Sequence, residues 1–333
     1  MWDVVGHERA LDFLRRSIEG NALPHSLLFV GPRHVGKTTL ALNLAQALNC
    51  PNPDAPCGAC SACNRIKKGV FPDVRLVEPR NREISIEQIR EIQREAGLKP
   101  FEGRFRVFII SEAESLSPEA ANSLLKILEE PPPQVVFVLL AESEENLLPT
   151  VLSRCQKFDL LPLPLNEVEE ALVRRWEAPP QKASLLARLS RGRIGWAVSA
   201  LQDEEILRRR EREIGRILEV MRGGFWDRFD YASDLSNLFS KEREGALEIL
   251  ELWEVLWEDL LRIKGGCPQH IINIDLEEEL AREASRLSLP EIAGFIEALN
   301  EAYKALLQNA NPRLVFENLM LRIPEARGRC RSR

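Results

Sequence analysis

The sequence predicts an α/β fold followed by an all-α region: a phosphate-loop domain on a mostly parallel sheet, then helices towards the C-terminus. Three observations carry this. A loop bounded by Gly31 and Gly36 lies between an apolar strand, Ser26-Leu27-Leu28-Phe29-Val30, and an apolar helix that opens at Lys37. Two later runs, Arg106-Val107-Phe108-Ile109-Ile110 and Val135-Val136-Phe137-Val138-Leu139-Leu140, are nearly continuous in apolar residues. Strands read this way when both faces of a parallel sheet are covered, and helical patterns separate them here. Past Leu160-Leu161-Pro162-Leu163-Pro164-Leu165-Asn166 no strand pattern of comparable strength returns.

The first element is the phosphate loop itself, Gly31-Pro32-Arg33-His34-Val35-Gly36-Lys37-Thr38-Thr39, set after a strand and before a helix as such loops must be. Gly31 and Gly36 let the backbone curl so that amide hydrogens point at phosphate oxygens, and the helix start adds partial positive charge. Lys37 supplies the mobile cation. Thr38, followed by Thr39, offers a hydroxyl to Mg²⁺, so ATP with Mg²⁺ is the expected ligand. Hydrolysis is a separate matter, because it also needs a metal-directed carboxylate at the end of the strand that closes at Ile110. Ser111 and Glu112 stand there, with Glu114 two places on, and a serine cannot supply an aspartate's charge. Glu112 acting through water, and Glu112 with Glu114 as solvated carboxylates, both remain open.

Next comes a cysteine cluster. Cys50, Cys57, Cys60 and Cys63 are separated by six, two and two residues, with Gly58 and small Ala59, Ser61 and Ala62 between the last three. Four thiolates in a compact loop match tetrahedral Zn²⁺, structural because no position is left open for water. The module follows the phosphate-loop helix, as an insertion tied down by metal rather than by its own core.

Ser117-Pro118-Glu119 reads as a helix start, serine capping and proline in the first turn, and Pro131-Pro132-Pro133 ends that helix. After the strand ending at Leu140 comes Ser153-Arg154-Cys155, where an arginine taken alone reads as a surface or ion-pair residue. Two prolines make a hinge at Pro162 and Pro164, which puts the first boundary near Pro164. Beyond it lie a short helical unit to about Leu201 and longer amphipathic runs, Ala246 to Ile263 and Pro290 to Gln308. Trp253, Trp257 and Phe295 sit at helical spacing there and read as packing residues.

Composition sets the outer bounds. With 333 residues, 44% hydrophobic and 29% charged, the chain fits a globular protein of two or three folded units. A net charge of −6 argues against a protein that coats DNA alone, and Arg80, Arg82, Arg104 and Arg106 are the candidates for local phosphate contact. With neither a secretory start nor an apolar stretch of about 20 residues, a cytoplasmic protein is expected. Among seven cysteines, Cys155, Cys267 and Cys330 stand apart from the cluster.

The phosphate loop, the helix with Asn122-Ser123-Leu124-Leu125-Lys126, its Glu129-Glu130-Pro131-Pro132 stop and Ser153-Arg154-Cys155 together resemble the clamp-loader branch of the AAA+ ATPases. Within that branch they are similar to the delta-prime family of bacterial DNA polymerase III. Val5-Gly6-His7 looks like the family's adenine-side segment, and Asn309-Ala310-Asn311-Pro312-Arg313-Leu314 like its collar-helix signature. The resemblance implies an AAA+ domain over 1–163 with its zinc module at 50–63, a helical lid over 164–204, a helical collar over 205–325 and a basic tail over 326–333. It implies gamma/tau and delta subunits as partners in a hetero-oligomeric pentamer that places a sliding clamp on primed DNA. Arg154 would then act in trans as an arginine finger in the neighbouring ATP site.

Three departures separate the chain from the gamma/tau motor. The resemblance leads one to expect Asp-Glu at Ser111-Glu112, a threonine or asparagine near Glu142 and an arginine near Gly195. The reading is therefore a stator that binds ATP weakly or statically and assists the polymerase holoenzyme. Its rivals are a motor turning over ATP in its own site and a free-standing phosphoryl transferase, to which the long helical C-terminal half lends little support.

Overall fold

The computed structural model describes residues 2–324. The expected basic tail at 326–333, with Cys330, lies outside the described residues. Packing divides the chain into two compact units, Met1–Ala178 with Ser190–Val198, and Pro179–Leu189 with Ser199–Arg333. Among the described residues no helix is long and apolar enough to cross a membrane.

The first unit runs α1 (Glu8–Glu19), β1 (Ser26–Val30), α2 (Lys37–Asn49), α3 (Ser61–Lys67), β2 (Val74–Val77), α4 (Ile86–Ala96), β3 (Arg106–Ile110), α5 (Pro118–Glu129), β4 (Val135–Ala141), α6 (Pro149–Leu152), β5 (Gln156–Asp159) and α7 (Leu165–Trp176). The five strands are all parallel, in the order β2-β3-β4-β1-β5. β1 and β4 are buried along their whole length, which is why their sequences are continuous in apolar residues. Alternate residues feed two cores. Leu27, Phe29, Val107, Ile109, Val136 and Val138 pack with Leu14, Leu40 and Leu44 of α1 and α2. Leu28, Phe108, Ile110, Phe137 and Leu139 pack with Ile89, Ile92 and Leu124 of α4 and α5. The edge strands β2 and β5 lack a long apolar run, because β2 is interrupted by half-buried Arg75 and β5 carries exposed Gln156, Lys157 and Asp159.

The helix expected after Ser117 forms as read, and the Ser117 hydroxyl accepts from the Ala120 N–H at 3.1 Å. α7 starts directly after Pro164. Because all strands run the same way, the segments after β1, β3 and β4 meet at one edge of the sheet. There the Gly31 N–H donates to the Ala141 carbonyl at 3.1 Å.

Helices α8 (Pro180–Ser190) and α9 (Ile194–Gln202) each cross the division between units. The second unit is otherwise α10 (Glu204–Arg222), α11 (Phe225–Lys241), α12 (Arg243–Lys264), α13 (Glu277–Arg286), α14 (Leu289–Leu307) and α15 (Pro312–Leu321). Its core is built on α12 and α14, where Trp253, Trp257 and Phe295 are buried and the Trp257 and Phe295 rings lie 4.3 Å apart. The Trp253 indole N–H donates to the Tyr231 hydroxyl at 3.1 Å. Buried Asp259 accepts from the N–H groups of Ile272 and Asn273, at 2.9 and 2.8 Å, and from Arg262 at 2.7 Å.

Candidate functional site

The phosphate loop occupies the edge of the sheet where β1 ends, and its turn passes through His34 at φ 62° and Gly36 at φ 113°. A φ of 113° falls where a side chain is strained, so Gly36 meets a backbone demand. The Lys37 ammonium donates to the carbonyls of Gly31 and of Pro32, the latter at 2.9 Å. His7 Nε2 lies 3.0 Å from the Val35 carbonyl, which brings the Val5-Gly6-His7 segment against the loop. Thr38 and Thr39 stand exposed in the first turn of α2. The five expected nucleotide-site residues are thus gathered on one turn and one helix start.

Gly195, where the resemblance leads one to expect an arginine nearby, plays a different part. Its N–H donates to the His34 carbonyl at 2.8 Å, and a Cβ added to it would itself lie 2.8 Å from that oxygen. The start of α9 therefore rests directly on the phosphate loop because residue 195 has no side chain. Its role was not legible in the sequence, since the partner is remote in the chain.

Three carboxylates gather at the same edge. Arg33 pairs with Glu142, which follows β4. The Glu114 carboxylate accepts the Glu142 N–H at 3.0 Å through Oε1, while its Oε2 is buried without a hydrogen-bond partner. Burial pushes the Glu114 carboxyl above the ordinary carboxylate range. This removes Glu114 from the solvated reading. Burial also lowers the Lys37 ammonium, against the pull of Glu142, Glu114 and Glu112. Ser111 directly follows β3, with its N–H bonded to the Val77 carbonyl at 2.9 Å, and brings no charge.

The four cysteine sulfurs lie within 4.8 Å of one another, Cys50 and Cys60 at 3.9 Å. A tetrahedron with zinc–sulfur bonds of about 2.3 Å has sulfurs about 3.8 Å apart, so the set fits one ion. The C-terminal end of α2 presents Cys50, and α3 opens on Cys60 and carries Cys63. Amide hydrogens of Ala59 and Cys60 draw the Cys57 thiol down to about 6, while burial pushes Cys63 up to about 12. The cluster can hold a metal, and its all-sulfur donors suit zinc.

Of Arg104 and Arg106, expected as possible DNA contacts, Arg106 is largely sequestered in an ion pair, while Arg104 stays exposed and spends its guanidinium on backbone carbonyls. Arg104 donates to the carbonyls of Leu48 at 3.1 Å and Cys50 at 2.7 Å, bracing the cysteine module. Arg106 pairs with buried Asp73 at 3.0 Å. A desolvated arginine already paired with a carboxylate has little left for a phosphate.

Arg154 is not brought to the phosphate loop of its own chain. It follows α6 and precedes β5, at the opposite edge of the sheet, where β5 begins by pairing Gln156 with Leu27. A five-residue strand separates the two edges by about 16 Å. The guanidinium donates to Glu129 at 2.8 Å through Nε and to the Thr150 carbonyl at 2.9 Å, beside a surface hollow lined by His25, Ser26 and Gln156. In the sequence Glu129 marks only a helix stop. Burial pushes the neighbouring Cys155 thiol up to about 12, which makes it a packing residue.

The family model for DNA polymerase III, delta subunit, matches residues 6–164, and that for its C-terminal part matches residues 225–325. Over 318 residues the chain is 32% identical to DNA polymerase III subunit delta' of Bacillus subtilis, covering 95% of this chain and 96% of that one. This chain belongs to the delta-prime family of DNA polymerase III subunits. The family resemblance read from the motifs is thereby borne out. The tau/gamma subunit of Haemophilus influenzae is 30% identical over 344 residues, covering 96% of this chain and 49% of its own length. The chain thus spans about half of that relative. Among solved structures, a gamma-subunit-related protein of Thermotoga maritima overlaps 94% of this chain and 98% of its own at 20% identity and a TM-score of 0.43. The fold of this delta-prime family member is defined by its parallel strand order β2-β3-β4-β1-β5.

Proposed function

We propose that this delta-prime family chain works as the stator of a clamp loader, lending Arg154 to the ATP site of a neighbouring gamma/tau subunit. The observation that carries the reading is the placing of Arg154 and the phosphate loop at opposite edges of one sheet. An arginine so placed can serve a nucleotide only in another subunit. There it would neutralise charge developing on the transferring γ-phosphoryl, an effect worth about 10³–10⁵ in rate for arginine fingers. Arg154 would leave Glu129 to do so, exchanging one anionic partner for another.

In this reading the chain's own loop, with Gly31, Gly36, Lys37, Thr38 and Thr39, holds ATP and Mg²⁺ weakly or statically. Uncharged Ser111 at the end of β3 supports little turnover there. Cys50, Cys57, Cys60 and Cys63 hold a structural Zn²⁺. The lid is residues 164–204, and the collar, 205–325, joins gamma/tau and delta subunits in a pentamer that opens the sliding clamp and delivers it to primed DNA. A cytoplasmic setting goes with that work.

Lys37 and Thr38, together with the match to a tau/gamma subunit, favour a second function, a motor that turns over ATP in its own site. The deciding measurement is DNA- and clamp-stimulated ATPase of the complex reconstituted with gamma/tau and delta. The stator predicts a loss of about a hundredfold or more with Arg154→Ala and little change with Lys37→Ala. Loss of most turnover with Lys37→Ala alone would make the chain a motor.

A further inference from the structure

The phosphate loop carries an anion of its own. Glu142 follows β4 immediately beside the loop's first glycine, since the Ala141 carbonyl accepts the Gly31 N–H. Two contacts fix it: its side chain pairs with Arg33 inside the loop, and its N–H is held by the Glu114 carboxylate at 3.0 Å. Among the carboxylates that act on Lys37, Glu142 exerts the largest pull.

The two terminal phosphates of a nucleotide make different demands on such a loop. The β-phosphate lies within the cradle of amide hydrogens and at the start of α2, where donors surround it. A γ-phosphate extends past the cradle towards Lys37 and the ends of the central strands, the space that Glu142 and Glu114 border. Here Arg33 is already neutralised by Glu142, and Lys37 faces three carboxylates. Like charges at close range in a partly buried site repel strongly.

We propose that Glu142 makes this loop selective for a nucleoside diphosphate over a triphosphate. The inference rests on the loop binding nucleotide at all, as proposed above, and names which nucleotide it prefers. A bound diphosphate would be a lasting structural ligand, with no γ-phosphoryl to transfer.

The test is equilibrium binding by calorimetry of ADP and ATP, each with Mg²⁺, to the full chain as wild type, Glu142→Gln and Lys37→Ala. Glu142 is 39% exposed at its side chain and Gln can still accept from Arg33, so the variant should keep its melting temperature. The expected result is ADP binding about tenfold or more tighter than ATP to wild type, with Glu142→Gln tightening ATP by about tenfold and moving ADP less than about threefold. Equal affinities in wild type, both lost in Lys37→Ala, would overturn the selectivity while leaving the nucleotide site standing. A Glu142→Gln change that shifts both nucleotides alike would also overturn it. No binding of either nucleotide to wild type would end both readings.

Discussion

Asp73 offers a sharp test of how the first unit is held together. It lies just before β2 at 1% exposure and gathers four donors. Oδ1 accepts the Phe101 N–H at 2.7 Å and Arg106 at 3.0 Å, and Oδ2 accepts the Glu102 and Gly103 N–H groups at 2.9 and 2.8 Å. Burial by itself pushes the carboxyl up, yet these donors hold it below the ordinary carboxylate range. Asp73→Asn keeps the shape and replaces one oxygen by a donor, so whichever way the amide turns, two of the four bonds are lost. At about 1.5–3 kcal/mol for each bond to a charged acceptor, the loss is about 3–6 kcal/mol, in line with about 3–5 kcal/mol for breaking a buried pair. For a unit of this size that lowers the melting temperature by about 6–24 °C.

Thermal unfolding at neutral pH, with amide exchange at residues 101–103, measures both the loss and its place. The sign with pH also follows. A depressed carboxyl stabilises above its unfolded pKa, and that stabilisation fades as pH falls through the folded value, so wild type and variant should converge below about pH 4. A loss under about 1 kcal/mol with unchanged exchange at Phe101, Glu102 and Gly103 would refute the argument.

Gly195→Ala should push α9 off the His34 carbonyl and weaken nucleotide binding several-fold, read by calorimetry; unchanged affinity would mean that the contact does not shape the loop. Glu114 has a raised pKa, so its ionisation costs stability as pH rises through the folded value. Glu114→Gln should therefore gain on wild type in melting temperature as pH rises above the ordinary carboxylate range, and a constant difference would reject the buried-charge account. Purified chain should carry one Zn²⁺, released by a chelator and lost in Cys60→Ala. Its removal should speed amide exchange at Arg104 and Phe105, whose N–H groups are held by Asn49 beside the module at 2.9 and 3.0 Å. Metal content that survives Cys60→Ala would contradict the four-sulfur site.

What could be read in the chain beforehand was what is local in it. β1, β3 and β4 were legible because burial on both faces leaves an unbroken apolar run, whereas β2 and β5, at the sheet edges, keep charged residues and hide. The phosphate-loop turn and the cysteine cluster were legible because each group of residues is confined to one turn or one short insertion, where spacing alone dictates geometry. Ser117 announced α5 for the same reason, a cap and its amide being three residues apart.

Tertiary structure decided everything that depends on partners far along the chain. Glu142 meets Arg33 across 109 residues, and Arg154 finds Glu129 across 25. The parallel sheet gathers strand ends at one edge, and so it set Glu114 and Glu142 beside Lys37 while placing Arg154 at the other. It also paired Arg106 with buried Asp73, 33 residues away. A residue's type fixes the chemistry it can perform, but its neighbours are chosen by how strands pair and helices cross, and no spacing along the sequence records that choice.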